Sequence, residues 1–338
     1  MTANSNYIDH LFRRFAEIHA LIIGDVMIDA YIEGMVERMS PEAPVPVVTV
    51  QRRFLRLGGA ANVALNIKAL GGKATLCSMI GDDGNASAFL QLMKEQDLDM
   101  KGIVTSKERI TTLKQRILNQ DQQMLRLDEE DTCDLSDTEA LLLEKSIRSI
   151  IAERHPDVII LQDYNKGVLT ESLIHEVVAL AKSNGIPVAV DPKKNNFLAY
   201  HDVTLFKPNA KELREGLDVS AESIAELESA TAQLQELLHC TYLMTTLSEK
   251  GVLMRHYDGK TAHLLHLPAH PRHITDVSGA GDTVLSVASL CLAAGADARH
   301  IAALSNIAGG LVCEQVGVVP VDRNRLFEEA QRLSPCDA

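Results

Sequence analysis

The sequence predicts an α/β fold built on a largely parallel sheet. Three observations lead there. Short apolar runs alternate with amphipathic segments along most of the chain. The apolar runs are nearly continuous, as expected for strands covered by helices on both faces. Glycine or proline punctuates many joins, at Gly71-Gly72, Pro156, Gly185 and Pro187.

In chain order, Ala20–Ile23 reads as the first strand. Ala60–Leu70 has helical periodicity and leads into a strand at Ala74–Ile80. A helix over Glu139–Ile151 precedes a strand at Val158–Leu161. A helix over Glu171–Lys182 precedes strands at Val188–Val190 and Val203–Phe206. A helix over Ala221–Leu238 precedes a strand at Tyr242–Thr245, and an apolar helix follows at Val284–Ala294. Two stretches break this alternation. Val45–Leu57 and Thr111–Leu127 alternate apolar with polar residues, which marks strands with one wet or partner-covered face. They predict a small β flap, with lid strands near 33–57 and 111–127. No Pro-, Gly- or Ser-rich linker divides residues 1–338 and no repeat occurs, so a single domain with a lid is expected.

Composition narrows the function. Of 338 residues, 46% are apolar and 23% charged, which argues against disorder. A net charge of −13 makes nucleic acid an improbable partner, since phosphate contacts need clustered Lys and Arg. Aromatics at 4% with no Trp disfavour binding by stacked aromatic platforms. No apolar run reaches the roughly 18–20 residues that span a bilayer. The N-terminus lacks a signal-peptide apolar region, so no membrane contact and a cytoplasmic location are expected. The cysteines (77, 133, 240, 291, 313 and 336) are scattered without a C-x-x-C, which reads as buried reduced thiols.

Open α/β sheets bind ligands at the carboxyl ends of their strands. Here those ends carry Asp25 and Asp29, Asp163 and Lys166, and Asp191 and Lys193. Further on come Asn209 and Glu212, Thr246 and Ser248, and Asp276 and Asp282. Loop starts and helix caps draw polar residues in any such fold. A rim combining carboxylates, lysines and hydroxyls nevertheless suits a phosphorylated ligand. The sharpest motif is Thr275-Asp-Val-Ser-Gly-Ala-Gly-Asp282-Thr before the apolar helix. A glycine turn feeding a helix aims several N–H groups, and the positive end of the dipole, at one spot. Asp282 beside it can accept a proton from an attacking hydroxyl, or can merely be a first-turn acid favouring the dipole.

Rival motifs fail. Gly259-Lys260-Thr261 ends like a Walker A loop, but Met254 stands where its first glycine belongs. Gly279-Ala-Gly281 begins a dinucleotide fingerprint, but Val284 takes its last place. His256, His263, His266, His270 and His273 invite a metal reading. Pro268 and Pro271 forbid a helix there, and on a strand His263 and His266 point to opposite sides.

Two separated signatures then carry a resemblance over about residues 20 to 330. The first is Gly58-Gly-Ala-Ala-Asn62-Val-Ala, running on to Leu70-Gly71 and Gly81-Asp-Asp-Gly84. The second is Asp276-Val-Ser-Gly-Ala-Gly-Asp282. Between them lie Asn209-Ala-Lys-Glu212 and Thr246-Leu-Ser-Glu-Lys-Gly251. The chain resembles the ribokinase-like, or PfkB, carbohydrate kinases. The resemblance implies a three-layer αβα fold. It also implies ATP and Mg2+, with a monovalent cation near Asp276 as a further possibility. Glu37-Arg-Met-Ser-Pro-Glu-Ala-Pro-Val-Pro-Val-Val48 is similar to a segment of D-glycero-β-D-manno-heptose 7-phosphate kinases. Such enzymes make heptose 1,7-bisphosphate for the lipopolysaccharide core. A stand-alone kinase is expected, because the H-x-G-H motif of a fused nucleotidyltransferase is absent.

The resemblance assigns roles. Asp282 is the general base, and the amides of Gly279, Ala280 and Gly281 form the anion hole. Asp29, Gly58, Gly59 and Asn62 hold the sugar, and Asp163 belongs to the same rim. Asn209 and Glu212 order magnesium through its waters. Thr246, Ser248, Gly251 and Asn306 line the nucleotide site. Apart from the resemblance, candidate cations for the far phosphate are Arg38, Arg116, Lys166 and Lys193, each of which can also be an ordinary surface cation; the last two are favoured by their place at strand ends. Lys194 leaves open which lysine after Asp191 turns inward. The lid strands offer an edge for a homodimer. Rival readings are a related kinase of fructose, fructose phosphate, ribose or a nucleoside, a silent sugar- or nucleotide-binding regulator, and a nicotinamide dehydrogenase.

Overall fold

The computed structural model describes residues 3–120 and 122–332. Along the chain come α1 (Ala3–Phe15), β1 (His19–Gly24), β2 (Val26–Met39), β3 (Pro46–Gly59), α2 (Ala60–Ala69), β4 (Lys73–Ile80), α3 (Gly84–Glu95), β5 (Asp99–Thr105), β6 (Leu113–Asn119) and β7 (Gln122–Glu129). Then follow α4 (Asp137–Arg154), β8 (Val158–Gln162), α5 (Glu171–Ser183), β9 (Val188–Asp191), β10 (Leu205–Phe206), α6 (Ala210–Leu217) and α7 (Ile224–Leu238). The last elements are β11 (Tyr242–Thr246), β12 (Val252–Tyr257), β13 (Ala262–Leu267), α8 (Ala280–Ala293), α9 (Ala298–Cys313) and α10 (Arg323–Gln331).

Nine strands form the main sheet in the order β13-β12-β11-β10-β9-β8-β1-β4-β5. Pairing is parallel from β5 to β11 and antiparallel through β12 and β13. Successive side chains of a strand point to opposite faces, and the core obeys this. Ala20 and Ile22 of β1 and Val158 and Ile160 of β8 join one apolar cluster, with α1, α2, α8 and α9. Leu21, Ile23, Ile159 and Leu161 join the other, with α4, α5 and α7. Both faces are buried, which is why these strands read as unbroken apolar runs.

A second sheet of four strands, in the order β3-β2-β6-β7, is the lid. Here the structure corrects the expected boundaries. β2 begins at Val26, immediately after the main-sheet strand. Gly24 makes that exit with a φ of +154°, where a Cβ would meet the Gln162 carbonyl oxygen at 2.0 Å. Its base is buried on both faces, which hid its alternation. Thr111–Leu127 is two antiparallel strands, because Gln120 takes a left-handed φ of +56° and the chain reverses. The β10 strand keeps only Leu205–Phe206, and α8 starts one turn before Val284.

Of the thiols expected to be buried, Cys77, Cys240, Cys291 and Cys313 are buried and free, whereas the free Cys133 is exposed on the loop before α4, and Cys336 lies outside the described residues. Among the described residues no helix is long and apolar enough to cross a membrane.

One buried amide ties three parts of the core. Asn66 on α2 accepts from the Thr283 hydroxyl of α8 at 3.1 Å and from the Val321 N–H at 3.0 Å, and donates to the Asn62 carbonyl oxygen at 3.0 Å. Replacing it with alanine strands a buried hydroxyl and a buried N–H. Asn66→Ala is expected to lose about 2–4 kcal/mol of stability, read by urea unfolding, with a smaller loss refuting this role.

Candidate active site

Asp282 lies in the first turn of α8, its side chain buried at the carboxyl end of the main sheet. Three elements supply donors. Asn62, in the first turn of α2, donates from Nδ2 to Oδ2 at 2.8 Å. The Tyr164 hydroxyl donates to Oδ1 at 2.6 Å, and Gln162 at the end of β8 donates from Nε2 to Oδ1 at 3.3 Å. Burial pushes the Asp282 carboxyl up to about 6, against the opposing bonds from Asn62 and Tyr164. It is therefore ionised at neutral pH yet basic enough to take a proton. Burial and the Asp282 charge push the Tyr164 phenol well above its usual range, so it remains a donor.

The N-terminus of α8 faces the same space. Gly279 caps it with a φ of +78°. The Ala280 N–H bends back to the Val277 carbonyl oxygen at 3.2 Å, so of the expected trio Ala280 already has a partner. The N–H groups of Gly281 and Asp282 are first-turn groups with no partner within the helix. A Cβ on Gly281 would lie 3.5 Å from Asp191 Oδ2 and 3.8 Å from Lys207 Nζ, so the floor of the cleft comes close here. Lys207 is 2% exposed and pairs with Asp191 at 3.0 Å. Lys193 pairs with the same carboxylate at 3.3 Å and hydrogen-bonds Glu212. Although burial alone would raise Asp191, the two lysines hold it below the usual carboxylate range. Although burial alone would lower Lys193, Asp191 and Glu212 raise it.

This cleft encloses about 580 Å³. A neighbouring space of about 530 Å³ brings together the expected Thr246, Ser248, Gly251 and Asn306. Asn306 is anchored by donating to the Pro268 carbonyl oxygen at 2.9 Å. Glu212 and Asn209 lie in the first cleft as a reciprocal cap of α6. At the base of the lid, Asp29 pairs with Arg116, and Gly58 admits that carboxylate because a Cβ would lie 2.2 Å from Asp29 Oδ2. Gly59 needs its φ of +61° to pass the Asp25 carbonyl oxygen.

Other expectations separate. Asp163 turns inward, accepting from the Tyr200 hydroxyl at 2.8 Å and from the Asn165 N–H at 2.7 Å, so it braces the loop instead of lining the cleft. Lys193 is the inward lysine and Lys194 is exposed. Lys193 lines the cleft beside Glu212. Lys166 pairs with Glu130 at 2.7 Å, and Arg38 is exposed near the β2–β3 turn. Asp276 accepts from the N–H groups of Ser278 and Gly317, at 2.9 and 2.8 Å, fixing the loop before α8. His263 bonds Asp258 at 3.0 Å and His266 bonds the Lys250 carbonyl oxygen at 2.8 Å. No three metal-ligating side chains converge among the described residues.

Sequence reasoning missed Tyr164, Gln162 and Lys207. Tyr164 adjoins the Asp163 that was singled out, and Lys207 is a cation at the end of an apolar strand. Asp25 explains how Tyr164 is aimed. Its buried carboxylate accepts the N–H groups of Tyr164 at 2.7 Å, and of Lys166 and Val168 at 3.1 Å each.

Residues 18–323 match the family described as pfkB family carbohydrate kinase. The chain is 40% identical over 328 residues to the bifunctional protein HldE of Methylobacillus flagellatus, covering 96% of this chain and 66% of that one. The bifunctional protein HldE of Syntrophotalea carbinolica is likewise 40% identical, over 95% of this chain and 64% of its own. The chain thus spans just under two thirds of the length of these relatives. Phosphofructokinase-2 from Escherichia coli in complex with fructose-6-phosphate superposes with a TM-score of 0.74 at 19% identity, covering 93% of this chain and 99% of that one. Arabidopsis thaliana ribokinase complexed with ribose and ATP gives 0.69 at 15% identity, covering 94% and 99%. The fold is ribokinase-like.

Because folding raises the Asp282 pKa to about 6, the acid limb of kcat/KM is expected near that pH, activity rising as the carboxylate ionises. The Tyr164 bond lowers that pKa, so Tyr164→Phe should move the limb to higher pH. An unmoved limb in a pH–rate profile would remove Tyr164 from control of this carboxylate.

Proposed function

This chain belongs to the pfkB family of carbohydrate kinases, and we propose that its sugar kinase reaction converts D-glycero-β-D-manno-heptose 7-phosphate to the 1,7-bisphosphate. The donor is ATP, and the product serves ADP-heptose and lipopolysaccharide core synthesis. The observation that carries the reaction class is Asp282, a buried carboxylate raised to about 6 beside a helix N-terminus. The heptose assignment is supported by the segment from Glu37 to Val48, which forms the outer β2–β3 hairpin of the lid, and by the 40% identity to the HldE proteins. Only the kinase reaction is proposed, since the match spans part of each relative.

The anomeric hydroxyl hydrogen-bonds to Asp282. As its oxygen forms a bond to the γ-phosphorus, its proton passes to the carboxylate and the bond to ADP breaks. Asn62, Tyr164 and Gln162 keep the base in place. The N–H groups at the start of α8 and the Lys207 ammonium stabilise charge on the transferring group, the largest service a protein gives this chemistry. Asp29, Gly58 and Gly59 form the sugar side, and Thr246, Ser248, Gly251 and Asn306 the nucleotide side.

Mg2+ fits the donor set. It keeps several waters and usually binds through one or two carboxylates plus substrate phosphates. Glu212, in the cleft, is the carboxylate suited to hold those waters, with Asn209 beside it. Bound there, the ion would supply charge neutralisation at the phosphates.

The assembly proposed is a homodimer through the lid. Leu55, Leu125 and Leu127 occupy one face of that sheet, each more than 40% exposed. Leu125→Asp with Leu127→Asp is expected to give a monomer by sedimentation, and a wild-type monomer would end this proposal.

The deciding assay is ADP release with Mg-ATP and the heptose phosphate. Asp282→Asn is expected to lose about three orders of magnitude in kcat. Release only with fructose 6-phosphate or ribose would move the acceptor assignment. No release with any sugar, from folded protein that binds ATP, would favour a silent regulator.

A further inference from the structure

Resting on the sugar phosphate reading above, we propose that Lys114 and Lys166 form the subsite for the acceptor's phosphate, and that Glu130 is an internal counter-ion which this phosphate displaces. The two lysines come from different parts of the molecule. Lys114 is on lid strand β6, and Lys166 is on the core loop after β8. They converge on one carboxylate: Lys166 Nζ lies 2.7 Å from Glu130 Oε1, and Lys114 Nζ lies 3.5 Å from Glu130 Oε2. Both lysine side chains are largely withdrawn from solvent, at 13% and 16% exposure. Glu130 Oε2 is buried without a hydrogen bond. One carboxylate with a half-used oxygen holding two ammonium groups leaves positive charge to spare, and a phosphate dianion would match it.

The location fits the far end of a phosphorylated sugar. Lys114 is the register partner of Asp29, and it shares a sheet face with Arg116, which pairs with Asp29. Lys166 stands two residues from Tyr164, whose hydroxyl bonds the base. The pair is thus linked by register to Asp29, placed above on the sugar side, and by chain to Tyr164, which holds the base. The lysine-bearing loop is itself held. Arg109 donates to the carbonyl oxygens of Lys166 and Cys133, and Asp25 accepts the Lys166 N–H at 3.1 Å. Asp128 also lies 3.7 Å from Lys114, but it is engaged by Arg126 at 2.9 Å. Arg116 is committed to Asp29, and Arg38 is exposed near the hairpin turn. A phosphate between lid and core would join the two, whereas an unphosphorylated sugar would not. The subsite thus also selects for phosphorylated acceptors.

The test uses the full chain with heptose 7-phosphate and with the unphosphorylated heptose. Lys114→Met and Lys166→Met are each expected to raise KM for the phosphorylated acceptor about tenfold or more, a larger change than in kcat, with KM for ATP unmoved. The unphosphorylated heptose should be affected far less, and Lys166→Arg should recover most of the loss. Glu130→Gln should lower KM for the phosphorylated acceptor several-fold, because its competitor is gone. Equal effects on both sugars, or an unchanged KM, would overturn the subsite. An unchanged or raised KM in Glu130→Gln would overturn the counter-ion role. If the wild type uses a different sugar phosphate, the same variants are scored with it. The heptose assignment then falls while the subsite stands.

Discussion

A carboxylate taken out of water must be compensated, and the compensation of Asp282 organises the active end of this protein. Its donors arrive from α2, from the end of β8 and from the loop that follows. Each is fixed by something else. Asn62 is tied to Asn66, whose amide binds α8 and the segment before α10. Tyr164 is fixed by its own N–H on Asp25, a second buried carboxylate raised to about 6 by burial and by Asp163. A carboxylate so placed can serve as a base, because its neighbours stabilise its charge incompletely and its affinity for a proton stays close to neutral pH.

The cleft beyond this base is governed by shared counter-ions. Asp191 serves both Lys207 and Lys193, and Lys193 is shared again with Glu212. Such a chain keeps two cations at one cleft without leaving either charge unpaired in a buried place. The same arrangement recurs between lid and core, where Glu130 holds Lys166 and Lys114. The lid sheet divides its two faces accordingly. Tyr31, Phe54, Arg56 and Arg116 share the inner one, with the Tyr31 and Phe54 rings stacked at 4.7 Å. Leucines occupy the outer one.

How much of this was legible follows from range. The parallel strands were legible because burial on both faces writes itself as consecutive apolar residues, as in Val158–Leu161. The turn inside Thr111–Leu127 was not, because apolar and polar residues alternate on both sides of Gln120 and continuity of pattern concealed a reversal of direction. The base of β2 was hidden for a related reason, since both its faces are buried, one by the apolar core and one around Asp29 and Tyr31. Among site residues, Asp282 and the glycines before it were legible through a local motif. Asp163 was misplaced and Tyr164 overlooked because neighbours on a loop point in opposite directions, a choice that Tyr200 and Asp25 make from afar.

The sequence by itself determined what is local and periodic: the layered α/β class, a polar rim at the strand ends, and a glycine turn delivering an acid to a helix N-terminus. Only the tertiary structure decided which groups meet. It set Asn62 on Asp282 across 220 residues of chain, brought Lys193 to Glu212, and drew Lys114 and Lys166 to one carboxylate. Those pairings depend on burial and on competition among many charges for few partners, which no spacing along the chain encodes.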